Sequence, residues 1–271
     1  MTAEGQVQMQ PSKDGYVDLN GVRTWYAEYG DASADPLVLL HPGGGGTDSR
    51  AFGPTLEGFA ARFRVLTPER RAHGRTPDHP GPISYDLMAQ DTVAFLETVA
   101  GGPAFLAGYS DGAVVALLTA LSRPGLVRRL VLVSGVFHKD GWRKEAVAPL
   151  DEEARAFFAQ SYAELSPDGA EHFGVVEGKL NRMHAEEPTL TSADLAAVST
   201  RTLVMCGDDD EIGWDHLTGL YQGIPDAELA VVPGTSHGLM VEKPGLCGEL
   251  ITTFLTTDPV PTVAPIRRAR H

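Results

Sequence analysis

The chain has 271 residues, 42% of them apolar and 21% charged, enough for one large domain, or one domain with an insertion, around a true core. Its formal net charge of −14 excludes the basic footprint that nucleic acid demands and gives no attraction to anionic membranes. No apolar segment follows the opening residues and no run reaches membrane-spanning length, so the expectation is a cytoplasmic protein.

Residues 1–15 are polar and read as a flexible N-terminal arm. Residues 16–29 alternate around Asn20-Gly21, a strong hairpin signal, and predict two antiparallel edge strands. Short apolar runs follow at 37–40, 63–66, 104–107, 130–133, 203–206 and 229–232. Runs apolar on both faces, alternating with helical segments, predict a mostly parallel sheet in an α/β fold. Helices are expected over 54–62, 84–99 (with Ser84 as N-cap), 214–223 and 242–256.

That rhythm breaks over 138–199, which has helical texture at 151–162, 168–185 and 192–198 but no strand, divided by Pro167 and Pro188. It reads as a helical cap inserted into a core made of 16–137 and 200–257, and such insertions often roof a pocket. Residues 258–271, with Pro259, Pro261, Pro265 and three arginines, read as a disordered basic tail. Cys206 and Cys247 lie on a strand-like and a helix-like run, as two buried thiols rather than a disulfide.

The chemistry centres on Gly108-Tyr109-Ser110-Asp111-Gly112, which fits G-x-S-x-G between the buried run 104–107 and an Ala/Val/Leu-rich helix beginning at Gly112. A strand turning abruptly into a helix holds its turn residue in a strained conformation and leaves Ser110 exposed at the strand tip. The helix N-terminus then directs free N–H groups at the same point.

This stretch resembles the nucleophile elbow of the α/β-hydrolase superfamily. The resemblance covers roughly residues 16–136 and 200–256, and the cap only in general texture. It extends to Pro68-Glu-Arg-Arg-Ala-His-Gly-Arg-Thr-Pro77, which is similar to the family's Asp-x-Arg-Gly-His-Gly-x-Ser loop, departing from it at Glu69 and Ala72. In this fold the base and its orienting acid follow the serine, each after a later strand, in the order Ser, Asp, His. The resemblance therefore assigns His237, after the run 229–232, and an acid in the cluster Asp208-Asp209-Asp210-Glu211. The family's spacing of three residues after the strand-ending Gly207 selects Asp210, with Asp209 as runner-up and Asp208 facing solvent. Two oxyanion donors are implied: the amide of Asp111, and one from His41-Pro-Gly-Gly-Gly-Gly46, where Pro42 departs from the usual His-Gly and removes a donor. Gly43 is the choice for the second amide, with Gly44 close behind.

Ser at the nucleophile position argues against epoxide hydrolase or haloalkane dehalogenase chemistry, which uses Asp there. The expected function is a serine hydrolase acting on a small-molecule ester, lactone or related acyl bond, as a monomer or homodimer, with no cofactor. The alternatives are a ligand-binding protein of the same fold, or a carbon–carbon bond hydrolase or cofactor-free perhydrolase using the same three residues. No His-Glu-x-x-His or Cys-x-x-Cys spacing suggests a metal, and no Gly-Lys-Ser/Thr follows the glycine run to make a phosphate loop. His41 and His73 read as supports of their own loops. His138, His172 and His184, with Trp142, Phe173 and Met183, are candidates for pocket walls or for the cap's own core, and general burial preference favours the core.

Overall fold

A computed structural model describes residues 9–145, 150–259 and 262–265. Its centre is one eight-stranded sheet in the order β1-β2-β4-β3-β5-β6-β7-β8. The strands are β1 (Lys13–Leu19), β2 (Val22–Tyr29), β3 (Pro36–Leu40), β4 (Arg64–Pro68), β5 (Ala104–Tyr109), β6 (Val127–Val133), β7 (Thr202–Asp209) and β8 (Ala227–Ser236). β3 to β8 run parallel to one another, while β2 runs antiparallel to both its neighbours, β1 and β4.

Two sequence expectations change here. β1 begins at Lys13, so residues 13–15 of the expected arm are sheet, with Gly15 opposite Tyr26; residues 1–8 lie outside the described residues. β2 is not an edge strand, because it pairs with β1 on one side and with β4 on the other. A polar strand such as β1 survives because an edge needs only one covered face.

Alternation along each strand splits the core in two. Leu37 and Leu39 of β3 join Phe59 of helix α1 (Gly53–Ala60) and Ile251 and Leu255 of α9 (Pro244–Thr256) on one face. Val38 and Leu40 join Met88 of α2 (Tyr85–Phe95) and Val114 and Leu117 of α3 (Asp111–Ser122) on the other. Fully buried leucines of this kind contribute roughly 1.5–3 kcal/mol each relative to exposure. Ser84 caps α2 by accepting from the Leu87 amide, as its position predicts. The expected helix over 242–256 is interrupted at Lys243, which separates α9 from a short preceding helix. The C-terminal residues 258, 259 and 262–265 carry no helix or strand, and the three arginines of the tail lie outside the described residues.

Between β6 and β7 lie α4 (Glu152–Leu165), α5 (Phe173–Glu186) and α6 (Ser192–Ala196), followed after β7 by α7 (Trp214–Gly223) and, after β8, by the short α8 (Leu239–Glu242). Among the described residues of 138–199 there is no strand, only isolated bridges of His138 with Thr189 and of Trp142 with Ile212. Phe173 and Met183 are buried and belong to the packed interior. The α4–α5 unit lies against loops that leave the carboxyl ends of the strands. Phe158 packs its backbone on Gly46, Glu164 pairs with Arg50 at 2.9 Å, and Lys179 pairs with Asp78 at 2.7 Å.

Candidate active site

The sheet's connections reverse direction between β3 and β5, and ligands of α/β sheets usually bind at the carboxyl ends of the strands at such a switch point. Ser110 stands there between β5 and α3, with φ 56° and ψ −122°. The chain on either side of this strained turn packs too closely for side chains, so both flanking positions are glycine. A Cβ on Gly108 would sit 2.1 Å from the Gly112 carbonyl oxygen, and one on Gly112 would sit 2.1 Å from that of Leu40. The Ser110 amide is fixed by the Val133 carbonyl at 2.8 Å.

The acidic run spans the end of β7. Asp208 and Asp209 are exposed, whereas Asp210 turns inward and is only 6% exposed. Its Oδ2 accepts from Ser134 Oγ at 2.5 Å and the Gly207 amide at 3.1 Å, and its Oδ1 accepts from the Glu211 amide at 2.7 Å. Burial alone would raise the Asp210 pKa. The hydrogen bond and charge of His237, with the Ser134 and Gly207 donors, reverse that and hold it below the usual carboxylate value.

His237 follows β8. Its Nδ1 lies 2.8 Å from Asp210 Oδ1 and its Nε2 lies 3.0 Å from Ser110 Oγ. An ionised carboxylate can only accept, so Nδ1 carries the proton and Nε2 of the neutral ring is free to accept from the serine hydroxyl. Burial disfavours the charged ring, but the Asp210 hydrogen bond and charge, joined by Glu211 and Asp111, raise its pKa above 6.5. The His237 loop is held from two sides. Tyr109 Oη donates to the His237 carbonyl at 2.5 Å, and Glu242 of α8 accepts from the Ser236 amide and hydroxyl at 2.7 Å each. The Trp142 ring meets the His237 ring in a T-shaped contact at 5.8 Å between centroids.

The glycine loop after β3 takes its orientation from Pro42. The Pro42 carbonyl accepts from Arg70 Nη2 at 2.8 Å, from the His41 ring at 2.7 Å and from Thr47 Oγ1 at 2.6 Å. The His41 Nε2 accepts from the Arg70 amide, which leaves the proton on Nδ1 for Pro42. In a trans peptide the next N–H points opposite to that carbonyl. The Gly43 amide is therefore turned away from the buried Arg70 and His41. Gly43 also packs directly on Asp111, since a Cβ there would sit 1.7 Å from Asp111 Oδ2. Gly44, at φ +106°, continues the loop toward Phe158. The Asp111 amide is the first N–H of α3, a position with no partner inside its own helix.

The structure thus brings Ser110, His237 and Asp210 into one hydrogen-bonded row and places Gly43 and Asp111 against each other. It leaves Asp208 and Asp209 outside that row. His41 and His73 support their own loops; His73 Nδ1 bonds the Arg71 carbonyl. His172 pairs with Asp78, and His138 accepts from the Asp140 amide. His184 and Trp142 reach the neighbourhood of Asp111 and His237, nearer the centre than a cap core would place them. Sequence reasoning missed Ser134, whose only local signal is its place at the end of β6. A cavity of about 380 Å³ bounded by Gly46, Thr47, Arg50, Ala51, Phe157 and Phe158 does not include Ser110, Asp210 or His237. Among the described residues no group of three or more His, Cys, Asp or Glu side chains could hold a metal ion, and no helix is long and apolar enough to cross a membrane.

Solved structures that share this fold are numerous. The chain is 29% identical over 258 residues to the "Putative carbamate hydrolase RutD" of Azorhizobium caulinodans, covering 84% of this chain and 97% of that protein. A variant of CumD, a meta-cleavage product hydrolase from Pseudomonas fluorescens IP01, superposes with a TM-score of 0.74 at 20% identity, covering 90% of this chain and 98% of that one. The enol-lactonase of Burkholderia xenovorans LB400 gives 0.71 at 21% identity, covering 89% and 100%. Residues 37–248 match the family described as "Alpha/beta hydrolase family", and the chain belongs to it.

Proposed function

We propose that the protein is a serine hydrolase that cleaves a carboxylic ester, lactone or related acyl bond of a small molecule, with Ser110 as nucleophile, His237 as base and Asp210 as the orienting acid. The observation that carries this reading is the continuous row of short contacts, 3.0 Å from serine to imidazole and 2.8 Å from imidazole to carboxylate. A serine hydroxyl is a weak nucleophile without such a base, and the base needs a fixed tautomer.

In this reading Ser110 Oγ attacks the substrate carbonyl while its proton passes to His237 Nε2. The new imidazolium is stabilised by Asp210. The amides of Asp111 and Gly43, with Gly44 next in the loop, bind the oxyanion of the tetrahedral intermediate. His237 then gives the proton to the departing oxygen and the acyl group remains on Ser110. Water repeats the sequence, losing a proton to His237, and leaves the free acid and the restored serine. The helices between β6 and β7 serve as a cap over the substrate, a role supported by the contacts of α4 and α5 with the glycine loop and the elbow. Relatives and neighbours named for carbamate and enol-lactone hydrolysis support an acyl substrate class.

The test is hydrolysis of a series of p-nitrophenyl esters, lactones and carbamates by wild type and Ser110→Ala. Turnover should fall by about four to six orders of magnitude in the variant, as in other enzymes that lose a triad member. Near-full activity in Ser110→Ala would overturn the reading.

A further inference from the structure

Behind the elbow lies a second polar cluster that the chemistry above does not use. The Asp111 side chain is buried beneath Ser110 and its two oxygens have separate partners. Oδ1 accepts from Tyr85 Oη of α2 at 2.6 Å, and Oδ2 accepts from His184 Nε2 of α5 at 2.9 Å. Burial would raise the Asp111 pKa, yet the charge and hydrogen bond of His184, with Arg70 and Tyr85, hold it far below the usual carboxylate range. For His184 burial opposes the charge, and the charge and hydrogen bond of Asp111 outweigh both burial and the repulsion from Arg70. Both shifts favour a protonated His184 ring facing an ionised Asp111. Its position is informative because the same Oδ2 lies against the Gly43 α-carbon.

We propose that His184 is a positioning residue for the two oxyanion-binding amides: by holding the Asp111 carboxylate against Gly43, it fixes the separation of the Asp111 and Gly43 N–H groups. The inference rests on the serine-hydrolase reading and deepens it. Asp111 contributes one amide through its backbone and packs its carboxylate against the residue that contributes the other, so a shift of the carboxylate alters the contact that sets their separation. His184 is well placed to hold it, because α5 is tied to the core at two further points. Lys179 binds Asp78, and Glu187, just beyond the helix, accepts from the Tyr85 amide at 2.9 Å. The His184 side chain is itself 35% exposed, so its replacement opens no cavity in the apolar core. It also makes α5 part of the apparatus that binds the transition state, in addition to covering the substrate.

The expected signature is a loss in the transition state with ground-state binding unchanged. Misplacement of an oxyanion donor by about an ångström costs on the order of a hundredfold in rate. With p-nitrophenyl butyrate as substrate, His184→Ala should lower kcat by about ten- to a hundredfold and leave KM within about twofold. The inhibition constant of an aryl trifluoromethyl ketone, which places an oxyanion in the same hole, should rise in parallel. His184→Lys, which restores a cationic donor, should recover part of both losses, and His184→Gln should fall between. Thermal midpoints measured alongside separate this from general loosening, which would not be rescued by Lys with kcat and inhibitor affinity moving together. Unchanged kcat and inhibitor affinity in His184→Ala, or a loss confined to KM, would overturn the inference while leaving the serine mechanism standing. Ser110→Ala is run in parallel: if it retains wild-type activity, or if wild type hydrolyses nothing and takes no fluorophosphonate label, the serine reading fails and this inference falls with it.

Discussion

Gly43→Ala isolates the packing that joins the glycine loop to the elbow. The Gly43 backbone has no positive φ, so alanine is compatible with its conformation, and the effect must come from what the methyl group meets. It meets Asp111 Oδ2 at 1.7 Å, Cγ at 2.4 Å and Cβ at 3.0 Å. To reach an ordinary contact the carboxylate has to retreat by more than an ångström, which breaks its bond to Tyr85 or to His184 or pushes the glycine loop outward. A hydrogen bond to a charged group is worth about 1.5–3 kcal/mol, which at 1.4 kcal/mol per decade corresponds to a loss of roughly ten- to a hundredfold if it falls on the transition state. Asp111→Ala removes the two nearest obstacles and leaves the third, the 3.0 Å contact with Cβ, so Gly43→Ala should cost less than about threefold further in that background. The assay is kcat/KM for p-nitrophenyl butyrate in wild type, both single variants and the double variant, with thermal midpoints as a control on folding. Equal fold-losses from Gly43→Ala in the two backgrounds would refute the argument that the Asp111 carboxylate is what excludes a side chain at Gly43.

Asp210→Asn should lower kcat by about four orders of magnitude, because the amide favours the wrong imidazole tautomer, whereas exposed Asp209→Asn should change it less than about threefold; a larger loss at Asp209 would transfer the acid's role. With His237 as the proposed base, activity requires its neutral ring, whose pKa is raised, so kcat/KM should increase with pH through an apparent pKa above 6.5; an acid limb centred below that value would contradict the Asp210–His237 pairing. Tyr109→Phe deletes the hydroxyl that holds the His237 carbonyl while keeping the ring, and should reduce kcat about three- to tenfold with little change in KM. An unchanged kcat would show that Glu242 alone suffices to hold the loop.

What the sequence revealed followed the range of the forces involved. The elbow is legible because it is local: Gly108 and Gly112 are required within five residues of Ser110, and the flanking apolar runs announce a buried strand and helix. The parallel strands are legible because burial on both faces leaves little choice of residue. The resemblance's spacing from Gly207 pointed among four adjacent acids to Asp210, whose side chain bonds the Gly207 amide and lies 2.8 Å from the His237 ring. Ser134 was not legible, since it meets Asp210 only because β6 and β7 are neighbours, a pairing that neither strand encodes alone. The same holds for His184, separated from Asp111 by 73 residues, and for Tyr109, separated from the His237 carbonyl by 128. The hairpin signal at Asn20-Gly21 fixed the pairing of β1 with β2 but contained nothing about β4, so the inner position of β2 was beyond it.

The central claim is that Ser110 is activated by His237. Its most direct test is intact-mass and peptide-mapping analysis of the protein after treatment with a fluorophosphonate. The account predicts one covalent adduct, located on Ser110, absent from Ser110→Ala and strongly slowed in His237→Ala. No adduct on the folded protein, or an adduct on another residue that persists in Ser110→Ala, would contradict it.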